Sequence, residues 1–570
     1  MTELIDEQAV ELAFLYHPSM YTKDIFGPTG NQQYATSLAQ AFINVGTPNS
    51  VACLAQTEAM FKDFARLIEP YARKETKCSW LKLQEFSKLK QIGTLFNPSP
   101  ALAKLAWQRR HLGNRAYSII GVAYRLSHFL VQDAVAELVT GPMEPWDALV
   151  CPWESTKRAA IRELAAYGEY LKDRFEIEKD VRLGLQLPVI NPFVRIPQEA
   201  NEEAGANLRQ KLAIEKSEPV VLSAGRFSPL TKGSPVPLFL SLQRAAEMSG
   251  KKIHLVLAGW FEPEAISEEY VRMASELAPD VSLHCLDGRD VEILKAVWAA
   301  ADIYTELADN TQESFGLTVL EAMAHALPVV ISDWAFNREI VENNKSGLLI
   351  PTTGPVPGLT DDLALLSSLS LVDYETHVGL ASQFVSVDIA EAAKAYAVLI
   401  GNAEKRTELG NNGKTVIETR FSANRVIAQY CHLIKELGKI RKDSEKEVAP
   451  SEPGLLRYPA RLDTAVMFAD YSSSTLSPRS ILKLQGEIAW LGKTLDKVES
   501  SYFGGIAKGV VLPAAELRQL IARIEQKGEC TLSDVTVLYN AEQGKALLLS
   551  LLWLSKIGCI RIMEPAPVVV

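Results

Sequence analysis

Seven cysteines are scattered through the 570 residues, at 53, 78, 151, 285, 431, 530 and 559, and no two form a Cys-x-x-Cys pair. An odd, dispersed set argues against a disulfide frame or a zinc site and reads as free thiols in a reducing compartment. Basic charge is also short: 59 Lys and Arg against 69 Asp and Glu leave a formal charge of −10. A nucleic-acid partner needs a basic face, so none is expected, although a small positive pocket for a phosphate is compatible with this balance. Long apolar runs are missing. The most apolar late stretch, KALLLSLLWLSKIGCI, is too short and interrupted to span a bilayer. The opening MTELIDEQAVELAFLYHP carries acids before a short apolar run, where a secretory leader has a basic start and a longer core. The expectation is a soluble, cytoplasmic protein, with peripheral attachment to the inner face of the membrane left open. No Asp-x-Asp pair falls at a strand end, so a metal-bridged diphosphate is not indicated and the expected metal and cofactor are none.

What is present is an ordinary globular composition, 47% hydrophobic and 22% charged, on a chain too long for one core. Short β-branched runs alternate with helical patterns, which predicts parallel α/β units. In the first half the strands are read at Val10–Tyr16, SVACLAQ from Ser50, YSIIGVAY from Tyr117, DALVCPW from Asp147 and LPVINPF from Leu187. NQQYATSLAQAFINVG reads as the first helix, after a loop with Gly27, Pro28, Thr29 and Gly30, and residues 58–113 give no clear assignment. A second series is read at 219–227, 253–259, 281–286, 301–307, 328–332 and 347–351, followed by helices from about 388 to 440. The predicted domains are 1–197, 198–440, a charged proline-containing linker at 441–456, and 457–570.

A nucleoside diphosphate needs cations for its phosphates, backbone N–H donors at a helix start and an acid for the ribose hydroxyls. Two stretches supply them. In GRFSPLTKG the strand PVVLSA delivers Arg226 at its carboxyl end, and Lys232 follows six residues on. A solvated surface loop would explain that stretch alone about as well. In ESFGLTVLE, Ser314, Phe315, Gly316 and Leu317 make a turn into a helix starting near Thr318, with Glu313 before it and Glu321 one turn inside. A helix N-terminus complemented by acids explains one glutamate, and the pair poorly.

Together, GRFSPLTKG and ESFGLTVLEAMAHALPVVISD resemble the family-four retaining glycosyltransferases, with their two glutamates separated by seven residues. The resemblance continues through EIVENNKSGLLIPT, upstream through PWDALVCPWESTKRAAIREL and LQLPVINPF, and downstream to about residue 440. It implies the GT-B fold, two Rossmann-like domains facing a cleft. It also implies transfer of a sugar with retention from a nucleotide-sugar, a co-substrate rather than a cofactor, to an acceptor that is a glycan, lipid, small molecule or protein. Arg226 and Lys232 would contact the diphosphate. Ser314, Phe315, Gly316, Leu317 and Thr318 would present amides and a hydroxyl, Glu321 would take the ribose, and Glu313 would orient the sugar. Gly30 would border the cleft from the other domain, and the base would lie near Asp287, Gly288 and Arg289. Similar enzymes place a histidine after the first-domain strand that faces the sugar. Here Tyr124 takes that place, and His128 reads as the start of a helix.

Tyr124 keeps a second reading open, a catalytically weakened nucleotide-sugar-binding scaffold. Trp107, Trp146, Trp153 and His325 read as packing residues, His17 as cleft border or structure, and Asp309 with Asn310 as weak substrate candidates. Residues 457–570 suggest helices at LPAAELRQLIARIEQKG and EQGKALLLSLLWLSKIG and then the strand CIRIM, a mostly helical, winged-helix-like module. Its second helix is too apolar for DNA reading, which leaves a packing or partner-binding role, as a protein-partner or homo-oligomer contact or in acceptor capture.

Overall fold

The computed structural model describes residues 11–21, 30–46, 48, 50–74, 76–181, 183–196, 202–444, 458–537 and 541–564. The chain forms two compact units, 1–460 and 461–570. The first holds two parallel sheets. One is built from β1 (Leu12–Leu15), β2 (Ser50–Leu54), β3 (Lys77–Leu81), β4 (Thr94–Asn97), β5 (Ser118–Val122) and β6 (Ala148–Val150), in the order β3-β2-β1-β4-β5-β6. The other is built from β7 (Val220–Phe227), β8 (Ile253–Phe261), β9 (Val281–Asp287), β10 (Ile303–Glu306), β11 (Val329–Ser332) and β12 (Leu348–Ile350), in the order β12-β11-β10-β7-β8-β9. The two orders are the same doubly wound pattern, with reversal points between β1 and β4 and between β7 and β10. This is the two-Rossmann GT-B architecture the motifs implied.

Most of these strands are near-continuous apolar runs, as parallel strands covered by helices on both faces must be. All six expected strands of the second half form. In the first half, β1 occupies the predicted segment, of which Val10 lies outside the described residues, as do Gly27, Pro28 and Thr29 of the following loop. Two strands went unread in the unassigned stretch, β3 and β4. β4 is four residues, TLFN, all buried, and offers no alternation to detect. The expected strand at LPVINPF is corrected. Val189 makes an isolated bridge to Cys151, as Gln186 just before the segment does to Ala148, and Pro188 between them has no amide hydrogen to join the two into a ladder.

The halves are tied by the helix Ala423–Asp443, which leaves the second half and lays Val426, Ile427, Leu433 and Leu437 into the first half's core beside Leu38, Phe42 and Ile43. Between the short antiparallel strands β13 (Thr352–Thr353) and β14 (Ser386–Val387) the chain makes an excursion carrying the helices Asp361–Ser368 and Tyr374–Ser382. The excursion reaches the first half, where the Tyr374 hydroxyl lies 3.1 Å from Ser127 Oγ.

In the unit 461–570, β15 (Ile481–Leu484) is the middle strand of an antiparallel sheet between β16 (Cys530–Thr531) and β17 (Ile560–Met563). The predicted helices appear as Ala514–Lys527 and Ala541–Lys556, and CIRIM supplies β17. The central strand β15 and the helix Ile488–Glu499 that follows it were not read from the sequence. Leu482, Leu491, Leu520, Ile524, Leu547 and Leu551 form the core of this unit.

Candidate active site

In an open doubly wound sheet, ligands bind beyond the carboxyl ends of the strands where the order reverses, because the loops there diverge and leave a crevice. In the second half those strands are β7 and β10, paired at Ile303 with Val221 and at Tyr304 with Leu222. Arg226 is the next-to-last residue of β7, and the loop that follows carries Lys232. β10 ends in Glu306, and the chain beyond it carries Glu313 and the turn into the helix Leu317–Ala324. Arg226, Lys232 and Glu306 line one cavity.

The Lys232 ammonium is paired with the Glu313 carboxylate. Burial alone would depress that ammonium's pKa, but Glu313 and Glu306 outweigh it and hold it above the usual lysine value. Arg226 Nη1 lies 2.5 Å from Glu262 Oε2, at the end of β8. Both cations are therefore held by carboxylates of the chain itself.

The turn is built by Gly316, the residue preceding the helix, at φ +65°. A Cβ at that position would stand 2.4 Å from the Phe336 ring, so conformation and space both demand glycine. Gly233 meets a similar limit, at φ +124° with the Asp309 carboxylate 2.7 Å from where a Cβ would sit. Asn310 fastens the two loops. Its Nδ2 donates to the Leu230 carbonyl at 2.7 Å and its Oδ1 accepts from the Gln312 amide at 2.8 Å. Asp309 is buried, which lifts its carboxyl to about 7. Burial also pushes the Glu321 carboxyl up to about 7.

The other expected residues separate into two groups. Thr318 faces the crevice, and its hydroxyl donates to Glu306 Oε2 at 2.9 Å. Ser314 Oγ donates to the Gln312 carbonyl and accepts from the Arg125 amide, both at 3.0 Å, so it ties the turn to the first half. Phe315 turns its side chain away, stacking on Tyr34 with ring centres 4.5 Å apart, and Leu317 is partly buried against both cores. Only the backbone of these two residues is available at the turn. Gly30 opens the helix Gly30–Val45 with nothing within 4 Å of an added Cβ. At the end of β9, Asp287 pairs with Arg289 at 2.9 Å in the open.

Tyr124 follows β5, and burial raises its phenol's pKa, while a hydrogen bond with Ser99 opposes the shift. His128 does what a helix-start residue does, its Nδ1 accepting from the Leu130 amide at 3.2 Å, and burial and then Arg125 lower its pKa. His17 contacts Ser19 Oγ at 2.7 Å. Trp146 and Trp153 are buried, Trp153 stacking on Phe336 at 5.1 Å. Trp107 stacks on Tyr458, and His325 on Trp298. In the segment EIVENNKSGLLIPT, Glu339 accepts from the amides of Glu154 and Ser155 at 2.7 and 2.8 Å, capping a first-half helix.

Two residues escaped the sequence reading. Glu306 sits inside an apolar strand pattern, and an acid at the buried end of such a run was the available signal. Arg125 has φ +48°, and its guanidinium carbon lies 4.9 Å from the Tyr374 ring centre. Among the described residues no carboxylate pairs with it.

With this geometry in hand, residues 206–369 match the family profile described as "Glycosyl transferases group 1". Over this segment the chain is similar to that family. It is 32% identical over 204 residues to the D-inositol 3-phosphate glycosyltransferase of Corynebacterium efficiens, covering 35% of this chain and 46% of that one. It is 29% identical over 203 residues to the Corynebacterium glutamicum protein of the same name, covering 35% and 47%. The chain thus spans just under half the length of the curated relatives it matches. Among solved structures, Anabaena HepE in complex with UDP and glucose is similar over 75% of this chain and 100% of that one, with 15% identity and a TM-score of 0.48. Among the described residues no helix is long and apolar enough to cross a membrane.

Proposed function

We propose that the chain is a retaining glycosyltransferase that moves a sugar from a nucleotide-sugar donor to an acceptor hydroxyl without a metal. The observation that carries this reading is the convergence of Lys232, Glu313, Arg226 and the start of the helix Leu317–Ala324 on the crevice between β7 and β10. Arg226, Lys232 and the free amides of the helix start would take the diphosphate and the charge that develops as the nucleotide leaves. Glu313, released from Lys232, would accept from the sugar hydroxyls, and Glu321 from the ribose. The acceptor hydroxyl would attack from the face the nucleotide leaves, its proton passing to the departing β-phosphate. Arg125, with no carboxylate partner among the described residues, suits an acceptor bearing an anionic group.

A thermal-shift screen against nucleoside diphosphates and their sugars tests donor binding, since a ligand that binds only the folded state stabilises it by mass action. Lys232→Ala and Arg226→Ala should each weaken nucleotide binding by about 10- to 100-fold, the loss of a charge-assisted hydrogen bond. Activity with an identified donor that survived both changes and Glu313→Ala would overturn the assignment. Tyr124, standing where similar enzymes carry histidine, favours a second reading as a donor-binding scaffold. Binding without turnover across an acceptor panel would support that reading.

A further inference from the structure

The crevice holds one more carboxylate than the proposed reaction uses. Glu306 ends β10, and its Oε2 accepts from the Tyr304 hydroxyl and the Thr318 hydroxyl, each at 2.9 Å. Thr318 is the second residue of the helix Leu317–Ala324. The Glu306 carboxylate therefore occupies the neighbourhood of a helix N-terminus, where unpaired amides favour an anion and where a donor phosphate is expected. It lines the same cavity as Arg226 and Lys232.

The groups facing it are known on each side. Tyr304 lies on its own strand, Thr318 on the helix together with Glu321, whose charge acts on Tyr304, Lys232 and Arg226 come from the β7 side, and Glu313 precedes the turn. Burial and then Glu313 already raise the Glu306 pKa, while Lys232 and the two hydroxyls oppose the shift. A diphosphate that claims Lys232 removes the opposing cation and adds negative charge at the same place. Both changes penalise an ionised Glu306 further.

We propose that Glu306 is a proton-coupled ligand of the donor site. Ionised, it stands in for a phosphate beside Lys232 and Thr318. When a nucleoside diphosphate binds, it takes up one proton and hydrogen-bonds to a phosphate oxygen, its other oxygen keeping the two hydroxyls. No bond other than that O–H forms, and the proton comes from solvent. The proposal rests on the reading of the crevice as a donor site and adds a residue and a proton to it.

Calorimetry with UDP-, GDP- and ADP-glucose on the full chain tests it, because a doubly esterified diphosphate does not titrate near neutrality. Titrations at pH 6.5–8.5 in buffers of different ionisation enthalpy should show about one proton taken up per nucleotide-sugar bound. Affinity should fall up to tenfold per pH unit at the alkaline end, the slope of a single linked proton. Glu306→Gln should abolish the uptake, flatten the pH dependence and bind about tenfold more tightly than the wild type at pH 8.5. Glu306→Ser gives a second carboxyl-free chain should the glutamine variant fail to fold. Binding by the wild type with no proton uptake, or a carboxyl-free variant that keeps the wild-type slope, overturns the role of Glu306 and leaves the donor site standing. No binding of any of the three probes overturns both.

Discussion

The two α/β halves wind their sheets in the same order and end in different chemistry. At the reversal point of the first half, the strand ends and the residues just beyond them are Tyr16, His17, Asn97 and Ser99, mostly neutral. The second half places Arg226, Lys232, Glu306 and Glu313 there. The first half does bury charge, but encloses it with its partner inside the core. Arg109 and Asp147 are both fully buried, with Nη1 to Oδ1 at 2.5 Å and Nη2 to Oδ2 at 2.8 Å. Asp147 also accepts from the amides of Ile119 and Glu144, each at 2.9 Å. A charge so enclosed can only hold structure. Lys232 and Arg226 are partly exposed and held by carboxylates that a ligand can replace. One fold thus carries a closed ion pair in one copy and an exchangeable set in the other. The strand ends, not the topology, set what each half can do.

Breaking the closed pair should have the largest effect. Arg109→Ala leaves Asp147 charged and buried and should cost about 3–5 kcal/mol of stability. It should show as a lowered denaturation midpoint with nucleotide affinity unchanged in the chains that remain folded. On the other side, Glu313→Ala should leave the fold intact and cut turnover by about a hundred- to a thousandfold. Release of the nucleoside diphosphate measures it. Near-native turnover in that variant would erase the distinction between the halves.

The Glu321 carboxyl sharpens the contrast through pH. Its folded-state pKa, about 7, stands above the ordinary carboxylate value of 4.5. Between those values the native state holds more protons than the unfolded one, so stability falls as pH rises through that window and levels off above it. Glu321→Gln should remove that slope, read as a smaller change in melting temperature between pH 5 and pH 8 for the unit 1–460. The smallest effect is expected at Tyr124. Tyr124→Phe removes the bond to Ser99, about 1 kcal/mol, and should leave donor affinity untouched.

The two charge-bearing loops were legible because their chemistry is local. Arg226 and Lys232 fall within one nine-residue stretch, and Glu313, Gly316 and Glu321 within another. Strand ends and helix starts are written in short apolar runs and glycine, which sequence preserves. Phe315 was read as part of the donor turn from its neighbours, yet its ring belongs to the first half's core against Tyr34. Position in a motif says nothing about which way a side chain points. LPVINPF read as a strand from its composition, and only the missing amide hydrogen of Pro188, set against a real ladder, shows why it meets the edge of the sheet in a single bridge.

By itself the sequence determined the alternation of elements, the two cation- and acid-bearing loops and the glycine between them, because each depends on residues within one or two turns of chain. Only the tertiary structure decided that Lys232 pairs with Glu313, 81 residues away, that Arg226 rests on Glu262, and that Glu306 stands under Thr318. Those meetings depend on which strands lie side by side. β7 and β10 are neighbours only because the sheet reverses its order between them, and no local pattern encodes that adjacency.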